Sequence, residues 1–212
     1  MTGFYSCIYF YNSSVKDKVP IIYYDCFPLH PNINALSGCT LTNYGNVGGA
    51  GQNGVTGEGT GGGGAGGAGT GVTPPLNAGH SNAGGAGRAN SITGTSITYA
   101  AGGGGGPATG GQDGTPGLGD GGSGGANPTG GDQPGGTGGG GIVVVSYKLS
   151  ESAPSAKATG GNVSIYNNHA IHTFTHSGTF TNTSGGDITG VEYVVIGGGG
   201  AGGGGAVSTN GQ

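Results

Sequence analysis

The sequence predicts a mainly β protein in which short β-sheet elements anchor a polyglycine-II helix bundle, with almost no α-helix. Three observations carry this prediction. Glycine accounts for 59 of the 212 residues, it recurs at every third position over parts of the chain, and β-branched strands adjoin glycine tracts without a polar linker. Strands of this kind are buried in folded proteins, so the glycines beside them are predicted to be ordered.

Composition alone makes disorder the first alternative. Glycine and the 10 prolines together approach a third of the chain, a level at which low-complexity disorder is common. Charged residues make up only 7% and the formal net charge is −4, whereas disordered chains usually carry more charge. A flexible glycine linker therefore stays open as the alternative to an ordered bundle.

The same composition argues against several classes of function. The five Lys and Arg residues are scattered along an acidic chain of pI about 5.6, so no nucleic-acid partner is predicted. The N-terminus lacks the basic region and small-residue cleavage site of a signal peptide. No apolar stretch reaches the ~20 residues that span a bilayer. We therefore expect neither a signal peptide nor a transmembrane segment.

Residues 1–46 read as a segment of unclear status that is not glycine-rich, with a short strand predicted within VPIIYYDCF (19–27). All three cysteines fall in this segment at irregular spacing, which favours reduced, packed thiols over disulfides. A cysteine nucleophile paired with His30 is a remote alternative. The nine acidic residues show no paired pattern, so the chain is predicted to be no enzyme, with no catalytic residue, metal or cofactor.

Residues 47–149 form the first predicted glycine-rich unit, which ends in a strand predicted at 142–147 within GIVVVSYKL. From Gly48 to Gly57 every third residue is glycine, the repeat of a threefold extended helix. Proline is too sparse for a collagen triple helix, which leaves polyglycine-II helices that pair sideways through backbone hydrogen bonds. Fixing the backbone of one glycine costs more free energy than one intramolecular hydrogen bond contributes. Such a bundle is therefore predicted to need β strands, among them Ile97–Tyr99, as anchors.

A linker at 150–157 leads to a strand cluster, 158–212, that is predicted to open a second, truncated glycine-rich unit. NVSIY, HAIHTFTH and GTFTNT alternate as three strands joined by Asn-Asn and Ser-Gly turns, and VEYVVI runs directly into glycine. His169, His172 and His176 invite a metal site, but the latter two lie about 13 Å apart along a strand, with His169 on the opposite face. Half-exposed strand histidines are the preferred interpretation.

Three motifs resemble the opening, middle and closing parts of the glycine-rich domain of bacteriophage tail fibre and adhesin proteins. They are HAIHTFTHSGTF with GGDITGVEYVVIGGGGAGGGG, then TPPLNAGHSNAGGAG with SITGTSITYAAGGGGG, and finally GGTGGGGIVVVSYKL. The likeness covers about 47–212, with the closing motif ahead of the opening motif. It implies the end of one unit followed by the start of the next, and residues 1–46 show no such likeness.

The resemblance implies a virion protein of the tail fibre that binds a bacterial surface polysaccharide or outer-membrane protein and assembles with other tail fibre subunits. In similar phage adhesins, loops between glycine helices carry receptor specificity, and this analogy names no receptor. The alternative is a structural glycine-rich spacer or shell protein with no ligand of its own. Ice binding by a flat glycine face is a more remote possibility.

Candidate receptor-binding residues lie in the predicted loops 72–82, 88–99 and 107–117. Two prolines stiffen the first loop, and the second holds residue types enriched at binding surfaces. The candidates are Asn77, His80, Asn82, Arg88, Tyr99 and Asp113. Plainer interpretations are a connector for the first loop, a structural hairpin with a packed tyrosine for the second, and a solvated carboxylate in the third.

Overall fold

The computed structural model describes residues 44–50, 59–72, 82–106, 110–125, 133–151 and 155–203, together with the backbone of three strands near the N-terminus. The regular elements of this described part are all strands, which confirms the predicted mainly β class. Within it, no helix is long and apolar enough to cross a membrane. The strands are β1 Tyr5–Cys7, β2 Val19–Ile21, β3 Tyr24–Cys26, β4 Arg88–Asn90, β5 Ile97–Tyr99, β6 Ile142–Lys148, β7 Ala158–Thr159, β8 Asn162–Tyr166, β9 His169–Phe174, β10 Gly178–Asn182 and β11 Glu192–Ile196.

An antiparallel sheet with strand order β11-β6-β9-β8 forms the centre of the fold. Its central strand β6 pairs with β9 on one side and with β11 on the other. Val143, Val144 and Val145 are all at most 4% exposed, so this strand is covered on both faces. A run of β-branched residues without polar alternation is what such a position requires.

Asn167 and Asn168 join β8 to β9 in a two-residue hairpin. Both have positive φ, 44° and 60°, as the preferred hairpin turn demands, and asparagine tolerates that conformation better than most residues. The predicted Asn-Asn turn is thereby confirmed. The Ser-Gly link that follows makes no hairpin with β9, because β10 pairs instead with β2 and β7.

The segment 19–27 contributes two strands where the sequence predicted one. Its β2 pairs antiparallel with β10, and its β3 pairs antiparallel with β1. Pro20 lies opposite Thr179 in β2, and proline is tolerated there because β2 is an edge strand of its sheet. The N-terminal segment is thus joined by backbone pairing to the strand cluster of 158–212.

The hydrophobic core lies on one face of the central sheet. The cluster consists of buried residues from the sheet, from β7 and β10, and from the loop before β11: Val143, Val145, Tyr147, Leu149, Ala158, Ala170, Phe174, Phe180 and Ile188. Three rings meet at its centre, since His172 stacks on Tyr147 with centroids 5.6 Å apart and meets Phe180 edge-on at 5.0 Å. The sheet β2-β10-β7 is therefore packed onto the large one through residues of β7 and β10.

The second face of the sheet is covered by the glycine-rich part of the chain. Val144, Ser146 and Ile171 are at most 3% exposed on this side. A methyl group built on Gly119 would come within 2.5 Å of Ile196 Cγ2, so the turn at Gly119 lies directly against β11. The strands predicted to anchor the glycines do contact them.

Nine glycine-rich segments lie outside the regular strands of the described part. Named g1 to g9 in chain order, they span 46–50, 59–64, 68–72, 82–87, 100–106, 111–115, 120–125, 133–141 and 197–203. The pattern of hydrogen-bonded neighbours shows that the chain reverses direction from each segment to the next. We refer to g1–g9 together as the glycine lattice.

Hydrogen bonds within the glycine lattice repeat every third residue. In g7, Gly121 and Gly124 donate to carbonyls of g5, whereas Gly122 and Gly125 donate to carbonyls of g9, at N–O distances of 2.8–3.0 Å. The same segment also bonds to g6 and g8, which gives it four neighbours. A strand in a flat sheet pairs with at most two others, so these segments are bonded on more sides than a sheet allows.

Both predicted glycine-rich units contribute to one sheet and one lattice. β11 from the second unit pairs with β6 from the first over five residues. Beyond it, Gly199 and Gly202 of g9 donate to Gly139 and Gly136 of g8, each at 2.8 Å. The opening motif therefore lies beside the closing motif in space, although it follows it in sequence.

Candidate functional site

Chain reversal places the connections of the glycine lattice at two ends. The end beside the central sheet carries the turn at 65–67, the β4–β5 hairpin and the turn at 116–119. We call the opposite end the distal end. Four other connections begin and end there, and the described residues beside them are hydrogen-bonded to one another. Val72 donates to the Ala50 carbonyl at 3.0 Å, and the Asn82 side chain donates to Gly59 O at 2.7 Å. The connections that begin and end here are 51–58, 73–81, 107–109 and 126–132.

Two predicted receptor-binding residues serve as links between segments near the distal end. Asn82 is half-buried, and its Nδ2 donates to Gly59. Asp113 is exposed, and its Oδ1 accepts a 2.7 Å hydrogen bond from the backbone N–H of Thr137. That backbone bond, together with one from the Thr137 side chain, lowers the pKa of Asp113 below its usual value. Both side chains are thus engaged in joining neighbouring segments.

The residues predicted in 88–99 lie at the other end, beside the sheet. β4 and β5 pair as a hairpin, with Arg88 opposite Tyr99. The Arg88 guanidinium lies 3.7 Å from the centroid of the Tyr44 ring, a cation–π contact. Tyr99 is 2% exposed, and its burial raises the pKa of its hydroxyl, while a hydrogen bond with Thr93 opposes that shift. A residue this buried offers no surface to a receptor in the described conformation.

Asn77 and His80, the remaining candidates, lie outside the described residues. Of the four predicted residues that the structure describes, only Arg88 and Tyr99 lie beside each other. Asn82 and Asp113 lie in the lattice, and Arg88 and Tyr99 share the hairpin at its opposite end.

The three histidines of the strand cluster have separate environments. His172 is fully buried between Tyr147 and Phe180, and both of its ring nitrogens have hydrogen-bond partners. His169 lies on the opposite face of β9, and its Nδ1 donates to the Asn167 carbonyl at 3.0 Å. In the described part of the chain no three His, Cys, Asp or Glu side chains are grouped closely enough to hold a metal ion. His172 is thus a core residue, where the sequence favoured half-exposed histidines.

A cleft of about 200 Å³ lies between the tip of the β4–β5 hairpin and the second face of the central sheet. Its lining includes Ser91 of the hairpin, Tyr166 and His169 at the β8–β9 turn, and Glu192 at the start of β11. Residues that carry an aromatic ring, an imidazole, a carboxylate and a hydroxyl therefore border one small space. Such a convergence of polar groups around an apolar surface is typical of a ligand site.

The sequence does not predict this cleft: it indicates His169 only for a disfavoured metal site, and Ser91 only as part of the candidate loop 88–99. The Asn-Asn turn is a local signal that places Tyr166 opposite His169 across the hairpin. The approach of Glu192 depends on the pairing of β11 with β6, and Ser91 reaches the cleft through the packing of the hairpin on the sheet. No local pattern encodes either long-range contact.

Comparison with protein-family models, with curated proteins and with solved structures gives no match.

Proposed function

We propose that this chain is a component of a phage tail fibre or receptor-binding adhesin, in which a polyglycine-II bundle displays loops to a receptor on the bacterial surface. The observation that supports this most is the alternation of the glycine segments, which gathers four connections at the distal end. Non-covalent display needs no catalytic group, in keeping with the predicted absence of enzymatic activity.

The polyglycine-II assignment of the bundle rests on the hydrogen bonds and on the glycine positions. Donors such as Gly121 and Gly124 repeat at the three-residue period of an extended threefold helix. A side chain at Gly136 would overlap the backbone of Gln112, and one at Gly202 would overlap that of Ser123. Only glycine permits backbones to approach this closely on several sides. In the proposed role, such a bundle sets the spacing between the segments from which the loops begin.

The proposed receptor is a polysaccharide or an outer-membrane protein of the host cell, bound through the distal connections. Several copies on one virion would combine weak contacts into a strong one. The competing role is a glycine-rich spacer or shell component without a ligand. In that role the distal connections only close the chain, so their sequence would not affect adherence.

Replacement of the distal connections tests the proposed role. Residues 73–81 and 126–132 are replaced by Gly-Ser sequences of equal length, and adherence of the purified protein to a panel of bacterial strains is measured. The matched control replaces Ala65 of the turn at the other end with serine and retains Gly66, because a side chain at Gly66 would overlap the Gly87 carbonyl. Loss or change of adherence for the distal variants alone supports display, whereas unchanged adherence contradicts it and favours the spacer.

A further inference from the structure

We infer that the cleft between the β4–β5 hairpin tip and the central sheet binds a single neutral sugar ring, as a second contact for a surface polysaccharide. This inference rests on the proposed function, since it supplies a ligand class for the same recognition event. The cleft lies at the end of the glycine lattice opposite to the distal connections. It would extend the recognition surface from one end of the protein to the other.

The floor of the cleft is built by strand register. Glu192, Ser146 and Ile171 lie side by side across β11, β6 and β9, and His169 and Tyr166 form the next row on the same face. Residues two apart on a strand point to the same side of a sheet. The cleft thus presents a carboxylate at one edge and a phenol ring at the other, with Ser146, Ile171 and His169 between them.

The walls of the cleft are held rigid by the hairpin tip. Gly94 has a φ of 93°, and a methyl group at this position would come within 2.5 Å of the Tyr166 ring. Gly94 also donates to the Ser91 carbonyl at 2.9 Å, and Ile92 donates to the Asn90 side chain at 2.8 Å. The tip therefore fixes one side of the tyrosine ring before any ligand arrives, which lowers the entropic cost of binding.

The polar lining is rich in hydrogen-bond acceptors. His169 donates from Nδ1 to the carbonyl of Asn167, so in the neutral ring its Nε2 carries a lone pair. Glu192 adds two carboxylate oxygens, and Ser91 adds a hydroxyl that both donates and accepts. A molecule with several adjacent O–H donors complements this set, as the hydroxyls of a pyranose do.

Charge selects a neutral ligand over an anionic one. The lining contains Glu192 and no Lys or Arg. Lys148 lies directly opposite His169 in the β6–β9 pairing, and its ammonium lies 3.7 Å from the Glu151 carboxylate. Phosphate, sulfate and acidic sugars would approach the Glu192 carboxylate in a lining that holds no cation, and their binding is disfavoured.

Tyr166 supplies the apolar contact that a sugar ring needs. Its side chain is 55% exposed although one side is covered by Gly94. The C–H face of a pyranose can pack on the open part of such a ring, while the phenol oxygen stays in water. A volume of about 200 Å³ is below the size of sites for drug-like molecules, which begin near 300 Å³, and so suits one ring rather than a chain of them.

Titration with simple glycosides tests the inference on the full chain. A panel of neutral methyl pyranosides is added while NMR signals of Tyr166, His169 and Glu192 are followed, with inorganic phosphate and choline as comparison probes. We expect at least one pyranoside to shift these signals with weak, saturable affinity. Tyr166→Ala and Glu192→Gln should each weaken it at least about tenfold, which corresponds to ~1.4 kcal/mol. The matched control Ile165→Ala alters the opposite face of the same strand and should leave affinity unchanged.

The outcomes separate this inference from the proposed function. Absence of a response to every pyranoside, or a stronger response to phosphate or choline, overturns the sugar site, and adherence through the distal connections is unaffected by that result. Equal weakening by Ile165→Ala also overturns it, because a general loss of structure would then explain the effect. Binding that is lost only in the two cleft variants supports it.

Discussion

Tyr147 Oη lies 3.1 Å from His172 Nε2 in the core of the protein, and this contact fixes the protonation of both groups. The phenol oxygen accepts two backbone N–H bonds, from Lys157 and Ala158, each at 2.9 Å. Its own proton must therefore be donated to the imidazole, whose Nε2 is the acceptor. His172 Nδ1 in turn donates to the carbonyl of Gly160 at 2.8 Å. The network is complete only while His172 is neutral.

Removal of the Tyr147 hydroxyl is expected to destabilise the fold. Tyr147→Phe deprives the amides of Lys157 and Ala158 of their acceptor and His172 of its donor. Buried groups left without partners cost about 1–3 kcal/mol each, so we expect the free energy of unfolding to fall by about 2–4 kcal/mol. Urea denaturation measures this. Tyr166→Phe, at an exposed ring, should change stability by less than about 0.5 kcal/mol, and equal stability of both variants would contradict the network.

Acid is expected to weaken the fold through His172. Burial lowers the pKa of this histidine below its usual value, and the hydrogen bond to Gly160 only partly opposes that shift. The unfolded chain, with a histidine pKa near 6.5, therefore binds more protons between the two values. Stability is full above about pH 6.5 and falls as the pH drops below it, by up to ~1.4 kcal/mol per pH unit.

Urea denaturation between about pH 5.5 and 8 checks this sign. His172→Gln removes the titrating group and should give a less stable protein whose stability varies less over that range. His176→Gln, at an exposed position, is the matched control and should retain the slope of the unmodified protein. A slope that persists in His172→Gln would assign the effect to another group.

Amide exchange is expected to follow the lattice hydrogen bonds. The N–H groups of Gly122, Gly136 and Gly202 donate to neighbouring segments at 2.8–2.9 Å. Amide hydrogens held in bonds of this kind exchange with solvent only when the structure opens locally. We expect protection at these glycines comparable to that of β6 in hydrogen–deuterium exchange followed by NMR. Exchange as fast as in an unstructured peptide would show that the glycine segments are a flexible linker.

Much of the strand content was predictable from local pattern. NVSIY corresponds to β8 without adjustment, and the run VVVSY needs burial on both sides, which fixes β6. The Asn-Asn pair predicts its own turn, because few residues accept positive φ at two successive positions. These signals lie within a few residues of the element they specify.

The long-range arrangement was beyond such signals. β10 pairs with β2 across more than 150 residues of sequence. The Ser-Gly link, whose sequence is typical of a hairpin turn, therefore joins two strands that do not pair with each other. The meeting of β11 with β6 likewise joins motifs that sequence order assigns to separate units. Ala100 shows the same limit locally, since its φ of 54° arises where β5 gives way to g5 and no sequence rule marks that alanine.

For the candidate site residues too, the sequence predicted the residue types but not the tertiary contacts. Asn82 is predicted as an adaptable polar group and Arg88 as a residue type enriched at binding surfaces. The partners that engage them, Gly59 and Tyr44, are distant in sequence. Tyr99 could be assigned either to a binding surface or to packing, and only tertiary contacts distinguish the two. Residue type predicts what a side chain can do, whereas its neighbours determine what it does.

Neighbouring glycines of g9 are expected to respond in opposite ways to a methyl group. A Cβ on Gly199 would overlap the carbonyl of Asp120, whereas one on Gly200 would meet nothing within 4 Å. Gly199→Ala must push two hydrogen-bonded segments apart, and we expect a loss of at least about 2 kcal/mol. Gly200→Ala should be neutral or stabilising by about 0.4–1 kcal/mol, since it restricts the unfolded chain. Thermal unfolding of both variants measures the difference, and equal effects would contradict the close approach of g9 to g7.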